Sequence, residues 1–271
     1  MRTAAVRVWL GALLLLCLAA SGAQARTICS IVADEAGATV FEEGDCATRV
    51  TPASTFKVPL AVIAFDARVL TSPDEPVLPF REGYADWGDG WREATGPKAW
   101  MHRSVLWYSR LIAREIGAET IARYLQRMDY GNADFSGDPG AGNALDRAWI
   151  SSSLKISPRE QVAFMSALSR HALPVTDWAQ SLTIHIMERH RSGGWTATGK
   201  TGSAYPRLAD GTFDRARGWG WYAGWIERNG RRFAFARLAQ DETRHATSGG
   251  LRARAAWLEA WPAIAVRIGA D

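Results

Sequence analysis

Hydrophobic and polar positions change period several times along this 271-residue chain, and each change marks an expected element. Arg2 and Arg7, the apolar run through Leu13-Leu14-Leu15-Leu16 and the small residues Ala23-Gln24-Ala25 have the layout of a secretory signal over residues 1–25, cleaved before Arg26. The run is too short to span a bilayer comfortably, and no later stretch approaches the roughly 20 apolar residues that a span needs. Strand-like patterns over 28–33 and 38–41 flank the turn Asp34-Glu35-Ala36-Gly37. Helical periodicity then runs over 54–69, with Phe56, Leu60, Ile63 and Ala64 as its apolar positions.

A long middle region follows, with helix patterns over 105–115 and 119–128 and a Gly/Asp/Pro-rich loop over 132–142. Ser157-Pro158-Arg159-Glu160 reads as a capping box with proline at the first helical position, so a helix should run from there to about 170. His185 and His190 fall on another expected helix. Near Gly193 the period switches to two. Strands are expected over 195–203, 218–227 and 231–238, the last two joined by Asn229-Gly230, a strong hairpin signal. An amphipathic helix over 251–268 closes the chain.

This order predicts an α/β (α+β) fold: an antiparallel sheet built from both chain termini with flanking helices, plus an inserted mainly helical subdomain. The expected domain is 26–271, its sheet part about 26–80 and 186–271 and its helical part about 81–185.

Composition narrows the function. The formal net charge is +4 without charged blocks, which gives no footprint for nucleic acid. Removing the leader also removes Cys17 and leaves Cys29 and Cys46, an even pair flanking the hairpin, where an exported protein permits a disulfide. Two free buried thiols are the alternative. His185 and His190 lack partners at metal-ligand spacing, so no metal is expected.

Of the 32 basic residues only four are lysine: Lys57, Lys98, Lys155 and Lys200. Arginine stays protonated in proteins, so lysine supplies the amines of adjustable pKa. Ser54-Thr55-Phe56-Lys57 sets a hydroxyl and an amine three residues apart in a first helical turn, a nucleophile beside a base. Ser152-Ser153-Leu154-Lys155 repeats the spacing, but it lies upstream of the Ser157 cap in loop or extended structure, where positions i and i+3 share no face.

Ser54-x-x-Lys57 together with Lys200-Thr201-Gly202 is the pair found in serine β-lactamases and penicillin-binding proteins. With Ser104-Val105, Tyr130-Gly131-Asn132, Trp149 ahead of Leu154–Ser157 and the Trp-rich 219–225, the order and spacing resemble the class D β-lactamases over nearly the whole mature chain. Leu106 stands where class A enzymes and transpeptidases carry an asparagine.

The resemblance implies a serine β-lactamase or penicillin-binding transpeptidase-like fold and hydrolysis of the β-lactam amide bond of penicillin-type antibiotics, conferring resistance. It implies catalytic Ser54, Lys57, Ser104 and Lys200, with Lys57 N-carboxylated by carbon dioxide and acting as general base; no other cofactor is expected. Trp149 and Val105 would stabilise the carbamate. The backbone N–H groups of Ser54 and Ser203 would form the oxyanion hole. Thr201, Gly202 and Arg252 would bind substrate, with Arg254 a rival to Arg252 for its carboxylate. The expected protein is periplasmic, a monomer or homodimer, free of the membrane after leader removal. Two other readings share the motifs: a penicillin sensor acylated at Ser54 without turnover, and a D,D-peptidase, which would need the asparagine that Leu106 replaces.

Overall fold

The computed structural model describes residues 25–270, so the expected leader lies outside the described residues except for Ala25. The strands are β1 (Arg26–Ala33), β2 (Thr39–Gly44), β3 (Glu188–Ser192), β4 (Trp195–Ala204), β5 (Trp219–Arg228) and β6 (Arg231–Gln240). Among the described residues they form one antiparallel sheet in the order β2-β1-β6-β5-β4-β3. The N-terminal hairpin therefore joins the C-terminal strands edge to edge, and the sheet is built from both ends of the chain. Asn229 and Gly230 both take positive φ, which the tight β5–β6 hairpin requires.

The helices are α1 (Lys57–Asp66), preceded by a 3-10 turn at Ala53–Phe56, α2 (Pro97–Arg103), α3 (Leu106–Ile116), α4 (Ala118–Arg127), α5 (Ala144–Arg147), α6 (Pro158–Ser169), α7 (Asp177–Ile186) and α8 (Gly249–Arg267). Helix α6 begins where the capping box places it: Ser157 Oγ accepts from the Glu160 N–H, and Glu160 accepts from the Ser157 N–H.

Alternation on the strands sorts the core into two layers. Tyr222, Phe233 and Phe235 face α8, where Trp257 stacks on Phe235 with ring centroids 4.4 Å apart. Trp221, Ala223, Trp225 and Leu238 face the other way, into a larger core shared with α1, α3 and α6. The tryptophans at 221 and 225 are thus packing residues, as their same-face spacing implies.

Two expectations change. His190 lies on β3, not on a helix: Glu188-Arg189-His190-Arg191-Ser192 has the charge typical of an edge strand and little apolar content to signal one. Helix α6 falls within the interval expected to be the helical insertion, yet it packs against β1, β5 and β6. Its buried face of Val162, Phe164, Met165 and Leu168 explains that placement.

Candidate active site

Residues 50–53 approach the site as an extended segment held by the 149–156 loop. Val50 and Ile156 exchange backbone hydrogen bonds of 3.0 and 2.8 Å. The Trp149 carbonyl accepts from the Ala53 N–H at 3.0 Å and from Thr51 Oγ1 at 2.8 Å. Trp221 Nε1 donates to the Thr51 carbonyl from β5 at 2.9 Å. Thus anchored, Ala53 takes φ +51°, a left-handed conformation that a non-glycine residue adopts only under such constraint. The 3-10 turn that follows presents Ser54 at the surface of the core.

Lys57 opens α1 and is 1% exposed. Its Nζ donates to Ser54 Oγ at 3.3 Å. Burial pushes the Lys57 pKa well below that of an ordinary lysine, and the charge of Lys200 pushes it the same way. Val105 and Phe56 are fully buried and Trp149 is 1% exposed, all in one core cluster. Trp149 stacks between Phe56, at 5.3 Å, and Phe135, at 5.9 Å. Phe56, the residue before Lys57, thus packs on Trp149, and Val105 belongs to the same core cluster.

Ser104 ends α2 in the left-handed region, φ +58°, and Val105 turns the chain into α3. Lys200, 1% exposed on β4, has its pKa lowered by burial to about 8 even though Glu188 opposes the shift. Gly202 sits two residues on. A Cβ there would lie 2.9 Å from the Pro52 carbonyl oxygen and 3.2 Å from the Ser54 nitrogen, so only glycine lets β4 pass this close to the serine. On the opposite face Gly250 approaches equally closely: a Cβ on it would lie 2.7 Å from the Gly202 carbonyl oxygen, and its N–H donates to Ser203 Oγ at 2.8 Å. The start of α8, capped by Ser248, is thus packed on the strand end that carries Lys200-Thr201-Gly202-Ser203.

Other expected residues have defined positions. Arg252 pairs with Asp241 through Nη2 and donates to the Thr247 carbonyl through Nη1, while its Nε has no protein partner. Arg254 instead reaches Glu188 at 3.2 Å and His190 at 3.0 Å. Tyr130 is fully buried behind the serine, its ring 6.2 Å from that of Phe56, and burial raises its pKa. Asn132 donates to the Ser153 carbonyl and accepts from the Lys155 N–H, making Tyr130-Gly131-Asn132 a clamp on the 153–155 loop. Lys155 lies in that loop and is exposed, so the second Ser-x-x-Lys match has no part in the site. Cys29 and Cys46 form a disulfide.

Sequence reasoning missed Asp241 and Glu188, whose relevance rests on long-range pairing. The Gly249-Gly250 pair at a helix start was the visible trace of the close packing on β4.

Among the described residues, no group of three or more His, Cys, Asp or Glu could hold a metal ion. None of their helices is long and apolar enough to cross a membrane.

A family model for the penicillin-binding protein transpeptidase domain matches residues 23–260. The β-lactamase OXA-9 of Klebsiella pneumoniae is 37% identical over 229 residues, which cover 83% of this chain and 84% of that protein. The β-lactamase OXA-1 of Escherichia coli is 38% identical over 198 residues, covering 72% of this chain and 68% of that protein. Among solved structures, the OXA-427 class D β-lactamase superimposes with a TM-score of 0.82 at 38% identity, covering 89% of this chain and 99% of that one.

Proposed function

The chain belongs to the class D β-lactamases, within the penicillin-binding transpeptidase fold family, and from that premise we propose how its residues open a β-lactam ring. It is a hydrolase of the β-lactam amide bond, an activity that confers resistance to penicillin-type antibiotics. The observation that carries the residue assignment is the buried Lys57 amine 3.3 Å from Ser54 Oγ, with no carboxylate among the influences on its pKa.

Burial shifts that amine toward its neutral form, the one able to react with carbon dioxide. The resulting carbamate takes the Ser54 proton, and Ser54 Oγ bonds to the lactam carbonyl carbon. The tetrahedral oxyanion rests on the N–H groups of Ser54 and Ser203, each such donor worth about 3 kcal/mol to the transition state. As the carbon–nitrogen bond breaks, Ser104 and Lys200 deliver a proton to the departing nitrogen and take up in its place the one held by the carbamate, which restores that base. The Lys57 carbamate then activates water, which releases the ring-opened acid and regenerates Ser54. Trp149 and Val105 hold the carbamate, and Thr201, Gly202 and Arg252 hold substrate. Support for the Ser203 donor comes from its neighbour Gly202, which has no side chain to separate β4 from Ser54.

The same reading places the working enzyme in the periplasm, with residues 1–25 removed; the Cys29–Cys46 disulfide supports an oxidising compartment. It keeps the sheet part of the domain at about 26–80 and 186–271, with α1 and α8, and the helical part at about 81–185, of which α6 packs onto the sheet.

The test is turnover of a chromogenic cephalosporin by purified protein, with and without bicarbonate. Many turnovers per Ser54, faster with bicarbonate, are expected. A single acylation of Ser54 without further turnover would instead identify a penicillin sensor.

A further inference from the structure

Gln161 lies one turn into α6 and is fully buried, as is Thr55, the residue after Ser54. Gln161 Nε2 donates to Thr55 Oγ1 at 2.7 Å, across a sequence separation of 106. Thr55 Oγ1 in turn donates to the Pro52 carbonyl at 2.7 Å, and the same carbonyl accepts from the Thr55 N–H at 3.2 Å. A threonine hydroxyl has a single proton. Since that proton goes to Pro52, Gln161 must be the donor to Thr55, and the chain from Gln161 through Thr55 to Pro52 has one direction.

This chain of bonds ends on the turn that carries the nucleophile. Pro52 and Thr55 close the turn, with Ala53 and Ser54 between them. Ala53 holds its left-handed φ of +51° only under constraint, so the turn depends on ties to the rest of the core. Those from Ile156, Trp149 and Trp221 reach Val50, Thr51 and Ala53, on the side where the chain enters. Gln161 reaches the far side of Ser54. The Pro52 oxygen and the Ser54 and Thr55 nitrogens are also the atoms that crowd Gly202 of β4. A rotation of the turn would therefore move the serine hydroxyl relative to Lys57 and the Ser54 N–H relative to β4.

The glutamine is not there for stability alone. Its Oε1 is buried with no hydrogen-bond partner in the protein, and an unpaired buried acceptor destabilises a fold. The Tyr130 hydroxyl, also fully buried, faces Thr55 and Gln161 without a hydrogen bond to either. A leucine at 161 would fill the same space without that cost, and Thr55 would keep its bond to Pro52.

We propose that Gln161 is a positioning residue for the nucleophile: through the Thr55 hydroxyl it fixes the Pro52–Thr55 turn and so holds Ser54 where it attacks. The proposal rests on the reading of Ser54 as the nucleophile.

Gln161→Leu removes the amide at similar volume. The acylation rate constant, from stopped-flow mixing with a chromogenic cephalosporin, should fall between about tenfold and about a hundredfold, the range that a displacement of up to about 1 Å at a reacting centre implies. The dissociation constant of the complex that precedes acylation should change little, and the urea midpoint should stay the same or rise. A merely structural role would do the reverse, lowering the midpoint and leaving acylation per folded molecule unmoved. Thr55→Val breaks the same chain at its middle and should slow acylation similarly, whereas Thr55→Ser keeps the hydroxyl and should retain most of the rate. The double variant Gln161→Leu, Thr55→Val should be about as slow as the slower single variant, because both changes act on one chain of bonds. Unchanged acylation per folded molecule in Gln161→Leu overturns the proposal. Equal rates in Thr55→Val and Thr55→Ser overturn it too, a comparison that decides the matter if Gln161→Leu does not fold. Ser54→Ala separates the two readings: turnover that survives it would sink the nucleophile assignment and this proposal with it, whereas turnover lost in Ser54→Ala but normal in Gln161→Leu would sink the proposal alone.

Discussion

The Lys57 amine donates to Ser54 Oγ at 3.3 Å, with the lysine 1% exposed and the serine partly accessible. For Ser54 to become a nucleophile this polarity must reverse, and the group on Lys57 must accept the serine proton. A neutral amine or its carbamate can do so, whereas an ammonium cannot. Lys57→Ala should therefore lower kcat/KM for a chromogenic cephalosporin at least about a hundredfold, the usual contribution of a general base. Added bicarbonate should not restore it. Retention of normal activity would remove Lys57 from the mechanism.

The acid limb of the pH profile should depend on carbon dioxide. Burial, then the charge of Lys200, holds the Lys57 pKa well below the ordinary value, so the neutral amine persists to lower pH than in an exposed lysine and is protonated as the pH falls through that lowered value. Converting the ammonium to a carbamate releases two protons, so each tenfold rise in dissolved carbon dioxide should move the acid limb about half a pH unit lower. Rate profiles between pH 5 and 8 at fixed carbon dioxide pressures measure this. A limb that ignores carbon dioxide would leave Lys57 acting as a plain amine.

Gly202→Ala tests the close approach of β4 to the nucleophile. The new Cβ would meet backbone on three sides, the Pro52 oxygen at 2.9 Å and the Thr55 and Ser54 nitrogens at 3.1 and 3.2 Å. None of these is the far end of a flexible side chain, so the strand must move away. A displacement of about 1 Å at a reacting centre costs on the order of a hundredfold in rate, and kcat should fall by that amount while the protein remains folded. Acylation rates from stopped-flow mixing, with circular dichroism as the folding control, decide the matter.

The Cys29–Cys46 bridge closes a loop over a sequence separation of 17 at the β1–β2 edge of the sheet, while Lys200-Thr201-Gly202 lies on β4. Replacing both cysteines with alanine should lower unfolding free energy by about 3 kcal/mol through the denatured chain. Activity per folded molecule should be unchanged. Urea unfolding of the two proteins gives the first quantity and active-site titration the second; equal midpoints would mean that the bridge contributes nothing.

What could be read from the chain and what could not divides along the range of the interactions involved. The Ser157 capping box and the Asn229-Gly230 hairpin involve residues within a few positions of one another, so local preference alone specifies them. Strand β3 escaped because its polar, charged residues have no period; it is a strand only because β4 offers an edge to pair with. The 3-10 start of the nucleophile helix and the positive φ of Ala53 were equally hidden, since anchors from 149–156 and from Trp221 impose them. The pairing of Arg252 with Asp241 has no counterpart in the motif pattern.

The sequence by itself determined which groups are available to react: a hydroxyl and an amine three residues apart, a second lysine on a strand, and few other amines in the molecule. Only the tertiary structure decided their charge. A lysine pKa depends on lost hydration and on neighbouring charges, and here both are set by residues far apart in the chain, with Lys200 acting on Lys57 and Glu188 and Arg254 acting on Lys200.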